Sequence, residues 1–223
     1  MASQIPLPLQ PDPNLDREDF IVSLGNAPAF ALVETWPWTV SAAALHGPSG
    51  SGKTHLVEIW KIRSGAQAVA AAALSGSAYA QLDRGRPIAI EDVDASIPNP
   101  ARDAALFHLL ESATMHAPLL LTGRELPSTW QATLPDLHSR FQALVSFPLW
   151  APDDVLLEKL VQKLFDDRQL TVPAAVVQHM IRSLERSPAA IRDFVERADE
   201  LALSRKKPIS LALIREILPE QAR

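Results

Sequence analysis

An eight-residue segment in the first third of the chain constrains the fold more than any other feature. It matches the pattern G-x-x-x-x-G-K-[S/T], and its residues are Gly47, Pro48, Ser49, Gly50, Ser51, Gly52, Lys53 and Thr54. Glycines let successive backbone N–H groups face phosphate oxygens, the lysine reaches the outer phosphates, and the threonine hydroxyl helps to hold Mg²⁺. A helix that begins here adds its partial positive charge. The segment therefore predicts a site for the phosphates of a nucleotide.

The residues on either side supply the context that such a loop needs. Residues 42–45 form an apolar run as long as a buried strand, and Leu56 and Trp60 recur afterwards at helical spacing. This spacing predicts a helix over residues 54–63. His55 lies on that helix beside the loop, where packing or support of the nucleotide site is expected. The alternative, a glycine-rich turn without a ligand, is disfavoured by the order strand, loop, helix.

Composition excludes several classes of protein. The 223 residues are 47% apolar and carry a net charge of −5, which is typical of a globular protein and gives no basic face for direct sequence-specific DNA binding. The absence of cysteine excludes disulfides and thiolate chemistry. No apolar run is long enough to span a membrane and no secretory signal is evident, so a cytoplasmic protein without a membrane partner is expected.

Short apolar runs alternate with helical patterns through the first two thirds of the chain. Beyond residues 42–45, the runs that predict strands are 68–74, 88–90, 119–122 and 144–147. Helices are predicted at residues 28–34 and 101–116, besides the one after the phosphate loop. This alternation predicts an α/β fold with a parallel sheet covered on both faces, whose ligand loops follow the carboxyl ends of the strands.

The pattern becomes purely helical after a proline-flanked segment at residues 148–152. Helices are predicted at residues 153–168, 173–184, 188–203 and 210–218. We therefore expect a flexible tail over residues 1–18, a nucleotide-binding α/β domain over 19–150, and a small all-helical lid domain over 151–223.

An apolar run ends in paired carboxylates at Glu91 and Asp92. Carboxylates at a strand end next to a phosphate loop can hold Mg²⁺, together with Thr54, and can orient a water for attack on the outermost phosphate. An ordinary acidic turn is the alternative. Thr122 ends the next strand and is a candidate sensor of the outermost phosphate, but Arg124 could serve instead, and the sequence does not choose between them.

Three motifs in order along the chain carry a resemblance to a known family. They are Gly52-Lys53-Thr54-His55-Leu56, the Glu91-Asp92 pair and Leu137-His138-Ser139-Arg140-Phe141. In these residues the chain resembles the AAA+ ATPases related to the bacterial replication initiator DnaA, and within that group the Hda-type regulators that inactivate DnaA. The resemblance covers nearly the whole chain. It implies an AAA+ fold with a helical lid, bound ADP or ATP with Mg²⁺, and an adenine pocket near Phe20 and Val22.

The resemblance also implies roles for two arginines. Arg140 matches the arginine that projects from one subunit into the nucleotide site of the next, where a permanently charged guanidinium stabilises the transferred phosphoryl group. Arg192 matches the lid arginine that contacts the phosphates of the protein's own nucleotide. For both residues the alternative is an ordinary arginine on a helix surface.

The amino-terminal tail contains a second recognisable pattern. Residues 4–9 read Gln-Ile-Pro-Leu-Pro-Leu and fit Q-x-x-L-P-L, the peptide by which Hda-type proteins dock on the β sliding clamp of DNA polymerase III. Leu7 and Leu9 would supply apolar anchors, Pro8 would favour an extended backbone, and the Gln4 amide would pair with the backbone of a groove. A merely disordered proline-rich tail is the alternative.

Several departures from the family pattern limit what the resemblance implies. Glu91 stands where aspartate is usual, the segment between Leu74 and Arg86 is too short for the helix that initiators place there, and Gly123-Arg124 replaces polar residues. These differences imply weak or no intrinsic ATP hydrolysis. No basic helix-turn-helix follows the predicted lid, which favours a regulator over an initiator.

The resemblance thus implies a negative regulator of replication initiation at the replisome, which docks on the clamp and stimulates hydrolysis of DnaA-bound ATP through Arg140. Self-association and the preference for ADP or ATP stay open. The alternatives are an autonomous ATPase of helicase-loader or clamp-loader type, and a scaffold whose nucleotide only stabilises the fold.

Overall fold

The structure, a computed structural model, describes residues 15–74, 77–150 and 152–218. Five parallel strands form one sheet in the order β2-β3-β4-β1-β5. The strands are β1 (Ala42–His46), β2 (Gln67–Ala70), β3 (Ile88–Glu91), β4 (Leu119–Gly123) and β5 (Val145–Pro148). The predicted α/β fold with a parallel sheet is confirmed.

Helices cover both faces of this sheet, because successive side chains of each strand point to opposite sides. The helices among the strands are α1 (Ala27–Glu34), α2 (Lys53–Ser64), α3 (Ser77–Gln81), α4 (Pro100–Ser112) and α5 (Pro135–Gln142). On one face Ala43 and Leu45 pack in the cluster that holds Trp60 of α2. On the other face Ala44 packs in the cluster that holds Leu106 of α4. The interior is therefore three-layered.

The register brings the functional loops to one edge of the sheet. His46, the last residue of β1, lies opposite Gly123, the last residue of β4, and Ile90 of β3 lies opposite Leu121. The phosphate loop after β1, the acidic end of β3 and the loop after β4 thus meet at the carboxyl edge, where ligands of open α/β sheets bind.

Four helices follow the sheet and share a separate hydrophobic cluster. They are α6 (Asp154–Asp166), α7 (Ala174–Ser183), α8 (Pro188–Arg205) and α9 (Leu211–Ile217). Phe165, Met180, Phe194 and Ile214 are among the fully buried side chains of this cluster. We call α6–α9 the helical unit. In the part of the chain that is described, no helix has the length and apolar character needed to cross a membrane.

Two predicted elements differ from the structure. The strand predicted over residues 68–74 ends at Ala70, because the alanine run that follows forms a 3-10 turn and alanine favours strands poorly. The helix predicted to reach residue 116 ends at Ser112, where a turn closed by the bond from the Ala117 N–H to Thr114 Oγ1 (3.1 Å) begins. Between Leu74 and Arg86, a segment that the sequence marks as short, the structure has a helix of five residues.

Candidate functional site

Close contacts or a positive φ favour glycine at three positions of the phosphate loop. A Cβ on Gly47 would lie 2.1 Å from the carbonyl oxygen of Leu149. Gly50 and Gly52 have φ values of +74° and +101°, a region that favours glycine, and a Cβ on Gly52 would lie 3.1 Å from the Phe20 ring. Of the intervening residues, Pro48 and Ser49 are exposed. The loop is therefore a backbone-lined cradle.

Two polar side chains of the loop are buried. The Ser51 hydroxyl has no hydrogen-bond partner within the described residues, although the residue is only 8% exposed. Lys53 is also 8% exposed, and its Nζ donates to the carbonyls of Gly47 (2.7 Å) and Pro48 (3.0 Å). Burial lowers the pKa of Lys53, while the charges of Asp92 and Asp94 oppose that shift. An unpartnered hydroxyl and an inward-facing ammonium fit a phosphate chain.

The acidic end of β3 lies against the first turn of α2. The Thr54 hydroxyl donates to Glu91 Oε2 at 3.0 Å, so two of the predicted Mg²⁺ ligands are in contact. Burial raises the pKa of Glu91, the bond from Thr54 opposes this, and the nearby charge of Asp92 adds to it. Asp92 adopts a φ of +56° and is exposed at the carboxyl edge. A bound cation would stabilise the charged forms of both carboxylates.

The described residues contain no group of three carboxylate or imidazole side chains placed to hold a metal by themselves. Mg²⁺ commonly binds through one or two carboxylates together with nucleotide phosphates and water. Thr54, Glu91 and Asp92 therefore fit a metal that arrives with a nucleotide better than a resident metal.

The two sensor candidates at the end of β4 have different surroundings. Thr122 is 1% exposed, and its hydroxyl accepts the N–H of Asp92 at 3.1 Å. Arg124 is exposed. Burial is the main cause of the lowered pKa of Lys53, and the charge of Arg124 adds a smaller lowering. The backbone N–H groups of Arg124 and Glu125 both donate to Asp94 Oδ2 at 2.7 Å. Thr122 thus braces the strand ends, whereas the Arg124 side chain is exposed at the same edge of the sheet.

The segment before α1 forms the other wall of the site. The Phe20 ring stacks on Phe30, with centroids 5.4 Å apart, and meets the His55 ring edge-on at 5.1 Å. The His55 ring nitrogen lies 2.8 Å from the carbonyl oxygen of Asp16, so His55 packs between the phosphate loop and this wall. Val22, also predicted near the adenine, is 42% exposed.

Sequence reasoning missed Asn26, which shapes this wall. Asn26 is 4% exposed; its side chain accepts the Ser23 N–H at 2.8 Å and donates to the Ile21 carbonyl at 3.0 Å. These bonds fold the segment that carries Phe20 and Val22. An asparagine immediately before an apolar helix with an early proline is the signal that could have identified it.

Arg192 lies on the second turn of α8, whose beginning meets the phosphate loop. A Cβ on Gly50 would lie 3.5 Å from Pro188 Cδ and from Ser187 Cβ. Burial lowers the pKa of Arg192, and its charge contributes to the lowered pKa of His55. The structure therefore places the first turn of α8 against the phosphate loop, with Arg192 one turn further along the helix.

Arg140 lies in a different place from all of these residues. On α5 its guanidinium carbon lies 4.6 Å from the ring centroid of Phe107, and Nη2 lies 3.9 Å from Glu111 Oε1. Phe107 and Glu111 belong to the second half of α4, which runs from the carboxyl edge of the sheet towards the amino edge. The Arg140 side chain is 39% exposed. It therefore lies on the outer surface, away from the phosphate loop of its own chain.

A buried ion pair that the sequence did not reveal joins the loops at the carboxyl edge. Arg102 and Asp103 are 1% and 0% exposed and are joined by a bond of 2.8 Å from Arg102 Nε to Asp103 Oδ1. Arg102 Nη1 donates to the carbonyl of Ser96 at 2.7 Å, and Asp103 Oδ2 accepts the Thr133 hydroxyl at 2.7 Å. The pair thus ties the loop after β3 to the segment that leads into α5.

Comparisons with known proteins give no match by sequence but clear matches by structure. Neither a protein-family profile nor a curated protein matches the chain. Domain III of the replication initiation protein DnaA from Thermotoga maritima has a TM-score of 0.77 at 17% identity, over 93% of this chain and 96% of that one. AMPPCP-bound DnaA from Aquifex aeolicus has a TM-score of 0.69 at 17% identity, over 86% of this chain and 66% of that one.

A second kind of neighbour has a similar fold. A point mutant of RuvB from Thermotoga maritima has a TM-score of 0.68 at 16% identity, over 86% of this chain and 67% of that one. At these identities the likeness concerns the fold. The chain is therefore an α/β protein with the AAA+ fold that is also found in DnaA and RuvB, and the AAA+ expectation from the sequence is confirmed.

Proposed function

We propose that this chain is a DnaA-like AAA+ regulator of the Hda type: it binds an adenine nucleotide in its own site and inserts Arg140 into the nucleotide site of DnaA, where it stimulates ATP hydrolysis. The similarity of fold to DnaA supports this proposal. The resulting ADP form of DnaA would be inactive, which makes the chain a negative regulator of initiation.

The position of Arg140 is the observation that carries the proposal. An arginine 39% exposed on α5 and held beside Phe107 and Glu111 cannot serve the phosphate loop at the far edge of its own sheet, but it is accessible to a neighbouring molecule. The long 3.9 Å contact with Glu111 is weak, because both side chains are in water. The guanidinium is therefore free to leave Glu111 for a phosphate.

The nucleotide site of this chain would bind a nucleotide with Mg²⁺. Backbone groups of the phosphate loop and Ser51 would hold the phosphates, Lys53 would neutralise them, and Thr54, Glu91 and Asp92 would hold Mg²⁺. Arg192 would contact the outer phosphates from the helical unit. Mg²⁺ supplies charge neutralisation on the phosphate oxygens when it is bound.

The clamp-binding part of the proposal rests on the sequence, because Gln4, Leu7, Pro8 and Leu9 lie outside the described residues. Docking of this peptide on the sliding clamp would raise the local concentration of the chain near DnaA without any new contact to DnaA. Deleting residues 4–9 should therefore remove the clamp dependence of the stimulation and leave Arg140 chemistry intact at high protein concentration.

The experiment that tests the function measures hydrolysis of ATP bound to DnaA, with clamp-loaded DNA, in the presence of wild-type or variant chain. Arg140→Ala should lower the stimulated rate by roughly 10³-fold or more, because a missing arginine finger has effects of that order. Arg140→Lys should be intermediate, since lysine keeps the charge but loses the planar fork.

Arg205→Ala is the matched control, because Arg205 also pairs with a glutamate on an exposed surface, Glu216, but in the helical unit. It should leave the stimulation unchanged. Full stimulation by Arg140→Ala would refute the proposal. Steady turnover by the isolated chain, abolished by Lys53→Ala, would instead support an autonomous ATPase.

A further inference from the structure

A short segment bridges the sheet and the helical unit on the side of the nucleotide site. We call residues 16–22 the strap. The carbonyl of Asp16 contacts His55 of α2, and Arg17 lies over the Phe30 ring of α1 at 5.1 Å. Further along the strap, Ile21 packs against the hydrophobic cluster of the helical unit. The strap therefore touches both parts of the molecule within seven residues.

One ion pair joins the strap to the first helix of the helical unit. Lys163 Nζ of α6 lies 2.6 Å from Asp19 Oδ1, and the two side chains are only 29% and 18% exposed. Within residues 152–218, the pairs Arg186–Asp154 and Arg205–Glu216 are more exposed, whereas the pair Arg168–Asp199 is about as buried but longer, at 3.7 Å. A partly buried pair is screened less by salt and water, so this one can hold a defined geometry.

Lys163 has a second partner within its own helix, Asp167, at 2.8 Å. Burial acts to lower the pKa of Lys163, but the hydrogen bonds to Asp167 and Asp19 outweigh it, and the pKa is raised. The ammonium is therefore charged at physiological pH. The contact with Asp167 stays within α6, whereas the contact with Asp19 crosses between the two parts of the molecule.

The same helical unit meets the phosphate loop at another point. Ser187 and Pro188, at the beginning of α8, lie against Gly50, and Arg192 follows one turn later. The orientation of the helical unit therefore decides how far Arg192 reaches over the loop. The strap, which contacts both the sheet side and the helical unit, is an attachment that can set this orientation.

We propose that Asp19 and Lys163 form a latch that fixes the helical unit over the phosphate loop, and that they are thereby positioning residues for Arg192. The effect on nucleotide affinity rests on the proposed nucleotide site, whereas the effect on orientation does not. Because the strap continues directly into the tail that carries the Q-x-x-L-P-L peptide, the latch also lies where that tail joins the folded protein.

The test measures a distance between the two parts of the nucleotide-free, full-length protein. The chain has no cysteine, so Ile62→Cys on α2 and Leu203→Cys on α8, at positions 74% and 70% exposed, can be spin-labelled specifically. We expect a narrow distance distribution by pulsed electron paramagnetic resonance. Asp19→Asn and Lys163→Met should each broaden or shift it, and Lys163→Arg should restore the wild-type distribution.

Asp167→Asn is the matched control, because it removes the other partner of Lys163 and leaves the contact with Asp19. It should leave the distance distribution unchanged. If Asp19→Asn and Lys163→Met both give the wild-type distribution, or if Asp167→Asn has the same effect as they do, the latch is refuted whether or not the protein binds nucleotide.

Titration calorimetry with ADP then tests the link to Arg192. Lys163→Met should weaken ADP binding by roughly threefold to tenfold, as expected for loss of a partly buried ion pair. The same substitution in an Arg192→Ala background should have little further effect, because coupled residues are not additive. Full additivity would contradict action through Arg192, and a wild-type chain that fails to bind ADP would refute the proposed nucleotide site alone.

Discussion

The carboxyl edge of the sheet and the outer surface of α4 and α5 are built in different ways. At the carboxyl edge the functional groups are packed: Lys53 and Ser51 are 8% exposed and Thr122 is 1% exposed. On the outer surface Arg140 and Glu111 are 39% and 57% exposed and are joined by a single long contact. One region holds its polar groups inside the fold, and the other presents an arginine on the surface.

This difference suggests that the two regions can be altered independently. Changes at the carboxyl edge should affect nucleotide binding and stability, because those side chains and glycines are held by the fold. Changes at Arg140 should leave both properties intact.

Removal of the buried ammonium should have the largest effect at the carboxyl edge. Lys53→Ala should weaken ADP binding by roughly 2–5 kcal/mol, or about thirtyfold at the least, because a phosphate charge would be left without its partner. Titration calorimetry measures this, and Arg140→Ala should remain within about twofold of the wild type in the same assay. Equal losses of ADP affinity in the two variants would show that the two regions do not act independently.

The next largest effect should come from a substitution at Gly123, where the end of β4 packs closely against Trp130. A Cβ on Gly123 would lie 2.6 Å from the Trp130 indole, so Gly123→Ala should lower the free energy of unfolding by about 1–3 kcal/mol through overpacking. Urea denaturation measures the change. Gly85→Ala is the control, because its Cβ would meet only the movable carboxylate of Asp83 at 3.3 Å. A stable Gly123→Ala protein would show that this edge is more tolerant than proposed.

Protonation of His55 should have the smallest effect, a change in the free energy of unfolding at low pH. Burial, the largest cause, lowers the pKa of His55 below its ordinary value of 6.5, and the charge of Arg192 adds to the shift, while the Asp16 carbonyl opposes it. The unfolded chain therefore binds a proton more readily than the folded chain. This contribution to stability is complete above pH 6.5 and is lost as the pH falls through the pKa of the folded state.

The measurement is the free energy of unfolding between pH 7.5 and pH 5 for the wild type, His55→Gln and the exposed-histidine control His116→Gln. Glutamine can keep the contact with the Asp16 carbonyl without titrating, so His55→Gln should show a shallower loss of stability at low pH, whereas His116→Gln should follow the wild type. The same pH dependence in all three proteins would contradict a titrating, buried His55.

The sequence identified those parts of the molecule whose chemistry lies in adjacent residues. The phosphate loop, the Glu91-Asp92 strand end and the alternation of strands and helices are local patterns, and the structure contains the loop, the parallel sheet and the helices. The errors at the end of β2 and at the end of α4 arose where an alanine run or a turn residue changed the backbone without changing hydrophobicity.

The sequence could not identify contacts between distant elements. Asp19 and Lys163 are far apart in the chain, and nothing in the residues around either one indicates the other. Arg102 and Asp103 are adjacent, but their burial follows from the packing of two loops around the start of α4. The bond from the Asp92 N–H to the Thr122 hydroxyl likewise joins two strand ends that are 30 residues apart in the chain.

The most direct test of the central claim asks where the outermost phosphate of DnaA-bound nucleotide lies relative to this chain. DnaA would be loaded with an ATP derivative that carries a photoreactive aryl azide on the γ-phosphate, mixed with this chain and clamp-loaded DNA in excess ADP, and irradiated. If Arg140 enters the nucleotide site of DnaA, the label should transfer to the peptide that contains Arg140. Label confined to residues 47–54, or no transfer to this chain, would contradict it.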